Sequence, residues 1–228
     1  MTHPFRLIVF DFDGTLVDSQ RFIATAMARA FEDQGFPAPA PEAVRRIIGL
    51  RLETAAARLL FGSQDPGPDE METAERVAAA YRIAFQDMRA RNLVDEPLFP
   101  GARAALANLD EPHVCLGIAT GKSRRGLVSS LERHDLSAFF VTLQTSDDGP
   151  GKPHPEILHR AMAEAGTEPE ETVMIGDTSY DMEMAVNAGV AALGVDWGYH
   201  GAEELRASGA AHVVESFPEL PSNLAALN

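Results

Sequence analysis

Ile8-Val9-Phe10-Asp11-Phe12-Asp13-Gly14-Thr15-Leu16 decides how the rest of the chain is read. An apolar run ends in two carboxylates separated by one residue, and a glycine follows at once. Such a run reads as a short, fully buried strand of a parallel sheet, because parallel strands are covered on both faces. Open α/β sheets carry their ligand sites at the carboxyl ends of the strands, which is where Asp11 and Asp13 stand. Side chains alternate along an extended strand, so residues two apart start on the same side. Two carboxylates held that close repel, unless a divalent cation lies between them or one is protonated. Asp and Gly are also ordinary turn formers, so an Asx-type turn closing a strand fits the same letters.

Outward from this stretch, the bulk properties narrow the field. At 228 residues the chain can bury a sizeable core as one domain or a domain with an insertion, and its 45% hydrophobic content is that of a soluble globular protein. No apolar run approaches the ~20 residues of a membrane span, and the first ten residues lack signal-peptide features. Cys115 is the single cysteine, so no internal disulfide forms, and a cytoplasmic protein is the simplest expectation. The net charge of −15 disfavours nucleic acid and anionic membrane as partners. Residues 18–95 hold 12 acids and 10 bases, so the acidic excess lies outside an arginine-bearing middle section. Only two basic residues are lysines, Lys122 and Lys152, and both follow predicted strands in glycine-flanked stretches.

From Gln20 to about Leu93 the pattern is helical throughout. Phe22, Ile23, Ala26, Met27, Ala30 and Phe31 recur at helical spacing, Pro41 opens a short helix over Val44, Ile47 and Ile48 that breaks at Gly49, a third helix runs from Arg51 to Phe61, and a long one follows Pro66-Gly67-Pro68. Beyond residue 97 the texture changes to strands (113–119, 139–143, 172–175, 190–195, 211–214) alternating with helices. That alternation means a doubly wound parallel sheet. The first strand needs partners that exist only after residue 112, so the helical section is an insertion. The expected organisation is an α/β core of residues 1–17 and 96–228 and an inserted helical bundle of residues 18–95, joined through connectors at Leu16–Ser19 and Leu93–Pro97.

The strand ends carry the chemistry. Thr120-Gly121-Lys122-Ser123 follows the second strand and offers a hydroxyl and backbone N–H groups to an anion. Gly151-Lys152-Pro153-His154-Pro155 presents a cation on a stiffened loop. Gly176-Asp177-Thr178-Ser179-Tyr180-Asp181 adds two acids at a helix start, where helix capping alone would also place them. Acids, a hydroxyl and an ammonium on successive strand tips suggest Mg²⁺-assisted phosphoryl transfer, with a carboxylate able to serve as nucleophile.

These motifs resemble the four motifs of the haloacid dehalogenase superfamily of phosphohydrolases, across the whole chain, and the insertion resembles that superfamily's first type of cap. Phe99-Pro100-Gly101, Gly151 to Pro155 and Trp197-Gly198-Tyr199 look most like its phosphoglycolate phosphatase group. The resemblance implies that Asp11 is the nucleophile and that Asp13 protonates the leaving oxygen. Asp11, the Asp13 backbone carbonyl and Asp177 would hold Mg²⁺, with Asp181 supporting the metal or orienting Lys152. Gly14, Thr15, Thr120, Gly121 and Lys152 would surround the transferring phosphate of a small-molecule ester. Dehalogenases of the superfamily lack the second aspartate and phosphonate-cleaving relatives use a cap lysine, so neither activity suits this chain. A sugar-phosphate mutase of the same fold and a non-catalytic binding protein on the scaffold stay as alternatives, in a monomer or a homodimer. Arg51, beside the Gly49-Leu50 turn, is the expected specificity residue for a substrate carboxylate. His154 and His200 read as loop residues, and Trp197 and Tyr199 as packing.

Overall fold

The computed structural model describes residues 3–63, 66–91, 93 and 95–227. Six strands, β1 (Leu7–Phe10), β2 (Cys115–Ala119), β3 (Phe140–Gln144), β4 (Thr172–Gly176), β5 (Ala191–Val195) and β6 (His212–Val214), form one sheet in the order β3-β2-β1-β4-β5-β6. Every neighbouring pair is parallel. All four residues of β1 are buried: Ile8 and Phe10 enter one apolar cluster, Leu7 and Val9 the other, so its alternating side chains anchor both layers. The strand order reverses beside β1, and its junction with β4 opens the crevice that doubly wound sheets use for ligands.

Between β1 and β2 lie four helices, α1 (Gln20–Asp33), α2 (Pro41–Arg45), α3 (Leu52–Phe61) and α4 (Pro68–Ala90). Prolines at the first position start α2 and α4, where a missing N–H costs nothing, and Gly62 in the left-handed region (φ 68°) ends α3. α1 buries Phe22, Ile23, Ala26, Met27, Ala30 and Phe31. The helices share a core around Met27, Val44, Ile48, Ala56 and Val77, and Tyr180 and Tyr199 reach into it from the sheet side. α2 is shorter than the spacing predicts. After Arg45 the N–H groups of Ile47 and Leu50 bond three residues back, and this tightened turn leads through Gly49 (φ 99°) to α3.

The remaining helices, α5 (Ala102–Leu109), α6 (Arg124–Arg133), α7 (Glu156–Ala165), α8 (Ser179–Ala188), α9 (Ala202–Ala207) and α10 (Leu220–Ala226), cover the sheet. α5, α6 and α10 pack on one face and α7, α8 and α9 on the other. The pattern after Val214 does not announce α10. Its Leu220 and Leu224 are a single apolar pair one turn apart, too short a signal to read without the sheet they cover. The two connectors run side by side, with Asp18 N–H on Pro97 O at 2.8 Å and Phe99 N–H on Leu16 O at 3.0 Å; Val94 of the second lies outside the described residues. Among the described residues no helix is long and apolar enough to cross a membrane.

Candidate active site

Asp11 leaves the end of β1 fully buried. Its Oδ1 accepts from the Phe12 N–H at 2.7 Å and lies 2.8 Å from Lys152 Nζ, while its Oδ2 has no hydrogen-bond partner. Lys152 is equally enclosed and donates to Asp181 Oδ1 at 2.5 Å. The other oxygen of Asp181 accepts from the Thr178 N–H (3.0 Å) and hydroxyl (2.7 Å), closing a reciprocal cap on α8. Capping and site chemistry therefore coincide in one residue, and the cap holds Asp181 while Asp181 holds Lys152.

Asp177, at the end of β4, accepts from the Thr15 hydroxyl at 2.8 Å and the Tyr199 N–H at 2.9 Å. Glycines press on it from two sides. A Cβ at Gly14 would come within 2.2 Å of Asp177 Oδ2, and one at Gly198 within 2.2 Å of Asp177 Cβ. Gly14 also has φ 96°, a region that L side chains rarely enter.

One oxygen each from Asp11, Asp177 and Asp181 lies within 4.8 Å of the others, all three residues buried. Burial pushes the Asp11 carboxyl up to about 7 against the pull of Lys152, and burial with the charges of Asp11 and Asp181 holds Asp177 well above the carboxylate range. Burial works against the Lys152 ammonium, but Asp11 and Asp181 outweigh it and raise its pKa. A set of hard oxygen donors with excess negative charge and an unpartnered oxygen fits a hard divalent cation.

Asp13 is turned elsewhere. Its carboxylate takes both oxygens to Lys122 Nζ, at 2.9 and 3.1 Å, and stands outside the three-acid group. Lys122 also donates to Glu96 at 3.2 Å. Glu96 is itself buried and held by the Ser130 hydroxyl (3.1 Å) and Arg133 (3.3 Å). Burial opposes the charge on both Lys122 and Glu96, yet Asp13 and then Glu96 raise the Lys122 ammonium, and Lys122 lowers the Glu96 carboxyl. Lys122 and Glu96 hold Asp13 in place, a contact that the motifs did not assign. The rarity of lysine pointed to the first, whereas nothing in the connector distinguishes the second.

Thr120 is buried, and its hydroxyl accepts from the Lys122 N–H at 3.2 Å, shaping the turn after β2. Gly121 lies directly beneath the inserted helices. A Cβ there would meet the carbonyl oxygens of Gly49 and Leu50 at 2.5 and 2.7 Å. The inserted turn thus covers the strand ends. Between them lies a cavity of about 340 Å³ that touches Asp13, Thr120 and Gly121 on the sheet side. Arg51 does not line it. It sits at the start of α3, about half exposed, 3.2 Å from Glu53, on the edge of a separate polar groove with Asp147 and Asp148. His154 caps α7 locally through Glu156, and His200 accepts from the Ser179 N–H at 3.0 Å. Trp197 donates to Thr15 O at 3.1 Å and stacks on Phe217.

A doubly wound sheet whose strand ends gather buried acids around a lysine, under a helical insertion, is the framework of an α/β enzyme acting on an anionic substrate. The family description "Haloacid dehalogenase-like hydrolase" matches residues 8–195, and the chain belongs to that family. It is 36% identical over 217 residues to a protein of Dickeya dadantii named "Probable phosphatase IndB", covering 94% of this chain and 91% of that one. It is 31% identical to a phosphoglycolate phosphatase of Vibrio parahaemolyticus, covering 94% of each. Among solved structures, a hydrolase of Pseudomonas syringae superposes with a TM-score of 0.81 at 27% identity, over 95% of this chain and 96% of that one.

Proposed function

We propose that this protein is a Mg²⁺-dependent phosphatase that hydrolyses a small-molecule phosphate monoester through an aspartyl phosphate on Asp11. Residues 18–95 act as a cap on a core made of residues 1–17 and 96–228. One observation carries the reading: a buried carboxylate fixed through Oδ1 by a lysine and a backbone N–H, with Oδ2 left unpartnered at the strand end. An oxygen so placed is positioned to attack phosphorus and is not neutralised by a direct ion pair of its own.

In the first step the Asp11 Oδ2–P bond forms and the bond from phosphorus to the ester oxygen breaks. Asp13, on the cavity side of the site, enters this step protonated while Lys122 stays on Glu96, and gives that oxygen its proton. In the second step Asp13 takes a proton from water, the water oxygen bonds to phosphorus, and the Asp11–P bond breaks to release phosphate. Lys152 and Thr120 hold the equatorial oxygens, where charge accumulates. Asp11, Asp177 and the Asp13 backbone carbonyl would hold Mg²⁺, which supplies positive charge to the phosphoryl oxygens when bound. The relatives named phosphoglycolate phosphatase make that compound the first metabolite to assay.

Release of nitrophenol from 4-nitrophenyl phosphate with Mg²⁺ is the direct test. EDTA should abolish it and added Mg²⁺ should restore it. Asp11→Asn should lower kcat by at least about 10³-fold with an unchanged circular dichroism spectrum. Turnover by a homogeneous Asp11→Asn protein, with deamidation excluded by mass spectrometry, would sink the nucleophile assignment.

A further inference from the structure

The cavity between the cap and the strand ends begins at Asp13, on the side where the alcohol half of a phosphate ester would leave. Its walls away from the strand ends include the apolar Ile23, Met27, Leu50, Ala55, Tyr81 and Phe85, with Gln86 beside them. Tyr81 and Phe85 stand 5.7 Å apart between ring centres, tilted 36° to one another, and both rings line the cavity. The Tyr81 hydroxyl has no hydrogen-bond partner among the described residues, and burial pushes its pKa up, so it stays protonated.

Three of the four cations that touch this space are occupied. Lys122 is held by Asp13 and Glu96, Arg89 by Glu96 (3.8 Å) and the Ser130 hydroxyl (3.2 Å), and Arg82 by Glu53 (2.5 Å). Arg125 is exposed, and no ion pair reaches it among the described residues. A volume of about 340 Å³ lies in the range that encloses ring-sized ligands. A two-carbon acid would leave most of it to water, and a carboxylate that did not reach the exposed Arg125 would lie against apolar side chains, an unfavourable desolvation.

We infer that the alcohol half of the substrate is a bulky, apolar, ring-bearing group seated on Tyr81 and Phe85, and that phosphoglycolate is a poor substrate. This rests on the phosphatase reading and narrows it. Added apolar atoms in a fitted pocket are worth roughly tenfold each in specificity.

The test compares kcat/KM of the Mg²⁺-loaded wild type for 2-naphthylmethyl phosphate, ethyl phosphate and phosphoglycolate. All three are primary alkyl esters, so leaving-group chemistry is nearly matched. The naphthylmethyl ester should exceed both others by at least about 100-fold. Ala55→Phe, which fills the cavity, should reduce its advantage over ethyl phosphate at least about tenfold. Equal or higher values for phosphoglycolate overturn the inference and leave the phosphatase reading standing. If none of these esters nor 4-nitrophenyl phosphate is hydrolysed, the phosphatase reading fails. The cavity assignment is then judged by calorimetry, which requires no turnover: 2-naphthylmethylphosphonate should bind about 100-fold more tightly than ethylphosphonate, and equal affinities overturn it.

Discussion

Lys122 and Lys152, the two lysines of the chain, are both surrounded by buried carboxylates, and their removal should be felt differently from that of any arginine. Lys122→Met leaves Asp13 without its cation beside the still charged Glu96, which keeps Arg133 and Arg89, and an unpaired buried charge costs about 3 kcal/mol or more. In a chain of this length that lowers Tm by roughly 6–12 °C. Adding Glu96→Gln to Lys122→Met should recover part of the loss; a double variant as unstable as the sum of the singles would show that the pair is not coupled. Arg51 gives the opposite expectation. Its guanidinium rests on Glu53 outside the cavity, so Arg51→Ala should change kcat/KM less than about threefold on any ester, the scale of an exposed ion pair. A loss of 10-fold or more confined to carboxylated substrates would put Arg51 on the substrate after all. Rarity and glycine flanks make Lys122 visible in the sequence. Its partner Glu96 lies 26 residues upstream in a connector, and only the closed fold brings them together.

At the level of elements, the turn after β2 and the turn between α2 and α3 share a backbone contact that allows no side chain. The insertion is held there by Arg45, whose guanidinium donates to Gly198 O (2.6 Å) and Tyr199 O (3.1 Å), and by Tyr180, whose hydroxyl donates to Arg46 O at 2.9 Å. Gly121→Ala places a methyl 2.5 Å from Gly49 O, so the inserted turn must lift. A displacement of this order costs about 10- to 100-fold in kcat/KM. Thermal unfolding should move little, because the lifted turn can re-solvate. Wild-type kinetics in Gly121→Ala would mean that the insertion does not need this contact for turnover. Helical spacing announced α1, whose buried stripe stands on its own account, and the breaks at Gly62 and Pro66-Gly67-Pro68 bounded α3 and α4. α10 escaped because its few apolar residues have meaning only against the sheet.

For the molecule as a whole, the gathered acids link stability to pH and metal. Asp11 titrates near 7 in the folded protein and near 3.9 when unfolded, so between these values the folded state binds more protons. This site therefore destabilises the metal-free protein progressively as pH rises from about 4 to 7, and the effect is complete above that. Asp177, also raised, acts in the same direction. In EDTA, Tm of the wild type should fall relative to Asp11→Asn across this window, and millimolar Mg²⁺ should remove the difference. A wild-type Tm that rises over the window in step with Asp11→Asn would contradict the charge cluster. The other charged residues, which leave a large acidic excess, are common to both proteins and cancel in the comparison.

Period and punctuation are local, and they were enough for the sheet, for the helical stretch between its first two strands, and for Asp11, Asp13, Thr120 and Asp177 at strand ends with Lys152 and Asp181 in the loop and helix beyond. A buried strand must be apolar and a ligand-bearing turn must follow it, whatever lies elsewhere in the chain. Which of those acids face one another was not local. Asp13 and Asp11 are two residues apart, yet Asp13 turns to Lys122 while Asp11 joins Asp177 and Asp181. The cavity was beyond the sequence for the same reason. Ile23 and Met27 of α1 read simply as core residues, and only the packing of α1 and α4 over the strand ends leaves them lining an open space. Burial and long-range charge pairing are properties of the assembled chain, and they decide there what each residue type does.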